Sequence, residues 1–211
     1  MLELQCYNFS LLIEIWKQLS QRHKATTMRT FEVPTREQVA PEAQGIFDNL
    51  QKQVGMVPNL YATIGYSANA LGSYLAFQGA QAKGSFNAKE REAVFLAVSQ
   101  VNGCAYCQAA HTAIGKMNGF SEEETIELRQ ARSTNDRLNA IVVLAKEITQ
   151  SHGRPSEVAL ENFFAQGFDN AALIDLVSLV ADKTLANYVH NITQIPVDFP
   201  AAQPIEAAVE A

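Results

Sequence analysis

The stretch from Asn87 to Gly103 constrains the fold more than any other part of the chain. Its helical pattern is apolar on every side between Ala93 and Val98. A helix of that kind is stable only when other elements cover most of its surface. Asn87 is suited to cap its start, and Asn102-Gly103 to end it. Elsewhere the periodicity is also helical. Alternating strand patterns are absent, and Pro and Gly fall between the helical stretches. The sequence therefore predicts an all-α fold in which this helix is buried on most sides.

Capping signals set the expected boundaries. Thr35 with Gln38 forms a capping-box pattern, followed by helix to about Gln53 with a restart at Pro41. The run Gly55-Met56-Val57-Pro58-Asn59 breaks the chain. Asn59 is expected to cap a short helix, and Ser67 a longer one reaching about Lys83, with Gly84 as its stop. A helix from near Cys104 to about Asn118-Gly119 comes next. Ser121 with Glu124 gives a second capping box, and further helices are expected near 122–131, 136–151, 156–166 and 170–192. The aromatic residues Tyr74, Phe77, Phe163 and Phe164 sit at helical spacings and are expected in the core. Residues 2–20 suit an amphipathic helix with Leu4, Leu11, Leu12, Ile15 and Leu19. They belong to an extension over 1–27, ahead of a domain over 28–200 and a flexible tail over 201–211. The Pro- and Ala-rich stretch after Pro196 is expected to trail over the surface.

Of the 211 residues, 47% are apolar and 18% charged, which suits a packed core rather than a disordered chain. The net charge of −6 argues against nucleic acid as a partner, and no basic face suits an anionic membrane. No stretch approaches the roughly 20 apolar residues of a membrane span. The N-terminus lacks a basic region, and Glu14 and Lys17 interrupt its apolar run, so a cytoplasmic location is expected.

Three cysteines, Cys6, Cys104 and Cys107, are too few for a secreted disulfide framework. A close C-x-x-C pair in a reducing compartment points to catalysis or metal binding instead. At a helix start, residues three apart are neighbours, close to disulfide spacing. Unpaired N–H groups and the positive end of the helix dipole lower a thiol pKa there. His111 lies four residues after Cys107, on the same face, where an imidazole can take a thiol proton. Glu92, in the preceding helix, can reach that side if the Asn102-Gly103 turn packs the two helices antiparallel. A carboxylate there would hold His111 or a relay water.

Plainer readings stand beside this one. C-x2-C-x3-H offers three zinc ligands where a structural site takes four, and no second cysteine pair exists. The two cysteines could also be inert core residues. Glu90, Arg91 and Glu92 could be a solvated helix start. Cys6, His23 and His152 look incidental. Asn187 and His190 share a face of the last long helix, where core or surface is the simplest assignment. Glu92 and His111 could serve proton transfer in a decarboxylase or isomerase, and the cysteines could form a redox sensor without turnover.

The run from Glu92 to Cys107, followed by Ala110-His111-Thr112, resembles the core of the carboxymuconolactone decarboxylase superfamily. More narrowly, it resembles its alkylhydroperoxidase D-like (AhpD-like) branch. The core motif covers about 86–118. Val57-Pro58-Asn59-Leu60 and the stretch from Asn187-Tyr188 to Asp198-Phe199-Pro200 are similar to peroxidase-related members. The resemblance implies an AhpD-like helical bundle, a homo-oligomer (trimer or hexamer) and peroxide reduction. It implies Cys107 as the attacking thiolate, Cys104 as the resolving thiol, and His111 and Glu92 as the proton relay. No bound cofactor or metal is expected, and the expected reductant is a thioredoxin-like or lipoyl-type dithiol. Members acting as lactone decarboxylases generally lack the cysteine pair. Tyr106 stands where well-studied peroxidases carry a histidine, so the relay is expected to differ.

Overall fold

The computed structural model describes residues 30–205. The expected helix over 2–20, with Cys6 and His23, and the end of the expected tail lie outside the described residues. The chain divides into two units, 1–31 and 32–211, and every helix named below belongs to the second. Among the described residues there are nine α-helices and no strand: α1 (Pro41–Val54), α2 (Asn59–Ile64), α3 (Ala68–Ala80), α4 (Ala88–Val101), α5 (Ala105–Met117), α6 (Glu122–Arg129), α7 (Asp136–Ser151), α8 (Glu157–Ala165) and α9 (Asn170–Thr193). No single helix among them is long and apolar enough to cross a membrane.

The central helix is α4, packed against α5, α6, α7 and α9. Successive residues of its apolar run serve different clusters. Val94, Phe95 and Val98 pack with Ile141 and Leu144 of α7 and Leu176 of α9. Ala93, Leu96 and Ala97 pack with Phe120, Leu128 and Val142. Each of these six α4 residues is at most 5% exposed. Burying a Val, Leu or Phe side chain stabilises by about 1.5–3 kcal/mol, so this helix holds the bundle together. Neither Glu90 nor Arg91 belongs to a solvated start. Glu90 is buried, closes the capping box with Asn87 and pairs with Arg137 at 2.7 Å. Arg91 donates to the Phe86 carbonyl.

The capping signals place most boundaries within a residue or two. Ser67, Asn87, Ser121, Asn135, Ser156 and Asp169 each accept a backbone N–H one turn into the following helix. The helix opened by Ser67 ends at Ala80 and continues to Lys83 only as a 3-10 turn. Asn59 departs from its expected role. It is the first helical residue, and its own N–H donates to Asp198 Oδ2 at 2.7 Å. The acceptor that caps α2 therefore arrives from 139 residues along the chain. Asn59 Nδ2 also donates to the Pro196 carbonyl.

The stretch after Pro196 likewise runs over the surface without trailing. Asp198 holds the start of α2, Phe199 packs edge-on against Tyr106, and the Gln203 carbonyl accepts from Arg129. Two of the four aromatics expected in the core are only partly covered. Tyr74 and Phe163 are buried, but Phe77 and Phe164 are 41% and 37% exposed. Helical spacing assigns a face, and how far each residue on it is covered depends on what packs opposite.

Candidate active site

The turn between α4 and α5 builds the site. Gly103 adopts φ +63°, a left-handed conformation that disfavours a side chain. The Cys104 N–H then reaches back to the Ser99 carbonyl at 3.0 Å. Cys104 becomes the N-cap of α5, and its sulfur accepts the Cys107 N–H at 3.3 Å. A thiol thus fills the place that Ser, Thr, Asp or Asn usually takes at a helix start. Both cysteines are free thiols and almost wholly buried.

The two thiols are unequal. Cys107 is drawn down from 9.0 to about 6, first by the hydrogen bond from Cys104. Burial opposes this; the Lys183 ammonium, His111 and the Asn187 amide assist it. Cys104 moves the other way, raised by the same hydrogen bond and by burial. The thiolate therefore resides on Cys107 and the proton on Cys104.

Glu92 and His111 meet as the turn geometry predicts. His111 Nδ1 lies 2.7 Å from Glu92 Oε2, with both side chains close to buried. With Glu92 ionised, Nδ1 donates and Nε2 is the basic nitrogen. The Phe95 ring packs against the imidazole at 4.9 Å. The structure therefore brings Cys104, Cys107, His111 and Glu92 together. His152 is elsewhere, at the end of α7.

A cavity of about 410 Å³ opens over this centre. Its walls include Leu60, Ile114, Met117 and Phe199 and the rings of Tyr61, Tyr74 and Tyr106. Cys107, His111 and Lys183 line it, whereas Cys104 does not. Gln78 also borders it, with its amide engaged by the Tyr61 and Tyr74 hydroxyls. The Tyr106 hydroxyl is engaged at the start of α2. The oxygen accepts the Leu60 N–H at 3.3 Å, and burial and Asp198 raise the phenol.

The last helix contributes more than core or surface packing. Asn187 is fully buried. It accepts from Asn102, donates to Ser99 and favours ionisation of both cysteines. His190 is buried against Tyr106, ring to ring at 5.5 Å. Sequence reasoning passed over Asp182 and Lys183, both buried. The available signal was an adjacent charged pair midway along a largely apolar helix. Among the described residues, no group of three or more His, Cys, Asp or Glu is arranged to hold a metal ion.

The carboxymuconolactone decarboxylase family profile matches residues 69–147, which span α3 to α7 and contain all four predicted site residues. That part of the chain is similar to the carboxymuconolactone decarboxylase family. The helical fold is the AhpD-like one. An uncharacterized peroxidase-related protein from Ralstonia eutropha JMP134, with an AhpD core, superposes with a TM-score of 0.68 at 22% identity, over 79% of this chain and 90% of that one. An uncharacterized peroxidase-related protein from Silicibacter sp. TM1040 gives 0.69 at 20% identity, over 84% and 94%. The debrominase Bmp8, in complex with 2,3,4-tribromopyrrole, gives 0.68 at 15% identity, over 81% and 93%. No curated protein matches the chain significantly in sequence.

Proposed function

We propose that this protein reduces organic hydroperoxides through a Cys104/Cys107 dithiol–disulfide cycle. The observation that carries the reading is the asymmetry of the pair. Cys107, the low-pKa thiol, lines the cavity beside the His111–Glu92 pair, and Cys104 stands behind it. His111 takes the Cys107 proton. The thiolate attacks the terminal oxygen of ROOH, so that an S–O bond forms as the O–O bond breaks. The leaving RO⁻ takes the proton back from His111 as ROH. The Cys104 thiol condenses with the sulfenic acid, releasing water and leaving a disulfide. An external dithiol, thioredoxin-like or lipoyl-type, then reduces it by exchange. The volume and aromatic walls of the cavity favour an organic hydroperoxide over hydrogen peroxide.

The test is consumption of cumene hydroperoxide with dithiothreitol as reductant. Turnover in the wild type and its loss in Cys107→Ser are expected. A Cys107→Ser variant as active as the wild type sinks the cycle, and one round of oxidation without turnover favours a redox sensor. The aromatic walls and the likeness to a debrominase support a second reading, reductive dehalogenation of an aromatic halide. There the thiolate takes the halogen, the ring carbon takes a proton, and Cys104 expels halide to form the same disulfide. Halide release under the same conditions distinguishes it.

We also infer a homo-oligomer. On α9, Ile174, Val177, Leu185, Tyr188 and Ile192 form an exposed stripe at helical spacing, each at least 43% exposed. Contiguous apolar surface of this kind marks an interaction face. Sedimentation of Leu185→Glu should show a smaller species than the wild type.

A further inference from the structure

The four residues of the dithiol cycle include no lysine, yet α9 delivers one to the cavity. Lys183 is 2% exposed. Its ammonium lies 4.3 Å from the centroid of the Phe95 ring, and that ring packs against His111. Lys183 borders the same cavity as Cys107 and His111. Among the described residues no carboxylate comes within ion-pair distance of it. Asp182 precedes it and is also buried, but one helix position turns a side chain by about 100°. Asp182 raises the phenols of Tyr61 and Tyr74, on α2 and α3, while Lys183 points to Phe95 on α4. A buried ammonium is expensive unless an opposite charge faces it. A ring face offsets only part of that cost.

The charges round the centre leave one group to fill that role. Glu92 from α4 is engaged by His111 from α5. Tyr61 and Tyr74 are held protonated by burial. Cys104 is held up as a thiol. The remaining anion is the Cys107 thiolate, which Lys183 favours more than His111 does.

We propose that Lys183 is a catalytic residue of the peroxide step, its ammonium stabilising first the Cys107 thiolate and then the oxygen that leaves as the O–O bond breaks. This rests on the reading of Cys107 as the attacking group. Lys183 is not the proton donor in this step. The proton that converts RO⁻ to ROH is the one His111 took from Cys107, so the step balances. The division of labour follows from chemistry. The His111–Glu92 pair moves a proton, whereas an alkoxide is a poor leaving group that a fixed positive charge assists.

The test uses Lys183→Met, which keeps the bulk over Phe95, with Lys183→Arg, which keeps the charge, and Lys183→Gln as a second neutral variant. The first readout is the rate of Cys107 alkylation by iodoacetamide against pH, with no peroxide present. An opposite charge facing a thiolate favours its ionised form, so the midpoint should rise by about one unit in Met and Gln and stay low in Arg. The second readout is single-turnover sulfenic acid formation from cumene hydroperoxide at a pH above every midpoint. With Cys107 fully ionised in all variants, Met and Gln should remain about tenfold slower and Arg should recover most of the rate. A midpoint in both neutral variants equal to wild type overturns the proposal, as does a neutral-variant rate that recovers fully at high pH. If the wild type consumes no hydroperoxide, the cycle fails. The alkylation profile still decides whether Lys183 faces the thiolate.

Discussion

Cys104→Ala removes the thiol whose hydrogen bond is the largest influence holding Cys107 down at about 6. A hydrogen bond to a charged group is worth about 1.5–3 kcal/mol, and one pKa unit about 1.4 kcal/mol. The Cys107 midpoint should therefore rise by roughly one to two units, to about 7–8. Lys183, His111 and Asn187 remain and should keep it below 9.0, the ordinary thiol value. At pH 7 the thiolate fraction falls from about 90% to between about 50% and 10%. Cys104→Ser retains a donor at the helix start and should stay close to wild type. The assay is alkylation by iodoacetamide from pH 4 to 10, resolved by mass spectrometry because Cys6 is a third thiol. If Cys104→Ala titrates with the wild type, the hydrogen bond is not what sets Cys107. A wild-type midpoint near 9 would refute the asymmetry of the pair altogether. Stability carries the same signature. The folded thiol titrates near 6 and an unfolded one near 9.0, so the contribution of the thiolate is present above pH 9 and lost as pH falls through 6. Above pH 9 the raised Cys104 works against it, because the unfolded chain then loses a proton that the folded one keeps.

Two further perturbations read other parts of the site. Glu92→Gln leaves His111 without its carboxylate and should lower peroxide turnover roughly 100-fold, at the lower end of what general-base catalysis contributes. Wild-type kcat in that variant would remove Glu92 from the relay. Asp198→Ala takes away the acceptor that caps α2 and should cost about 1 kcal/mol, which for a chain of this size lowers Tm by about 2–4 °C. An unchanged melting curve would show that water replaces the cap at no cost.

What the sequence determined by itself is what short stretches of chain determine. Caps and stops act over one helical turn, so Ser67, Asn87, Ser121 and Asn102-Gly103 could be read directly. The all-round apolar run in α4 demanded burial wherever the rest of the chain went. Cys104, Cys107 and His111 are bound to one another by the pitch of a single helix. Glu92 was reachable because a tight turn returns α5 along α4. Tertiary structure alone decided the other half of the site. Lys183 and Asn187 lie about 80 residues from the cysteines in the chain, and their positions depend on how α9 packs on α4 and α5. Asp198 caps a helix 139 residues before it, a contact that leaves no local pattern. Phe77 and Phe164 carry the spacing of core residues, but exposure depends on what lies opposite. The physical reason is range: hydrogen bonds within a turn are encoded where they occur. A buried charge is encoded only by the completed packing that surrounds it.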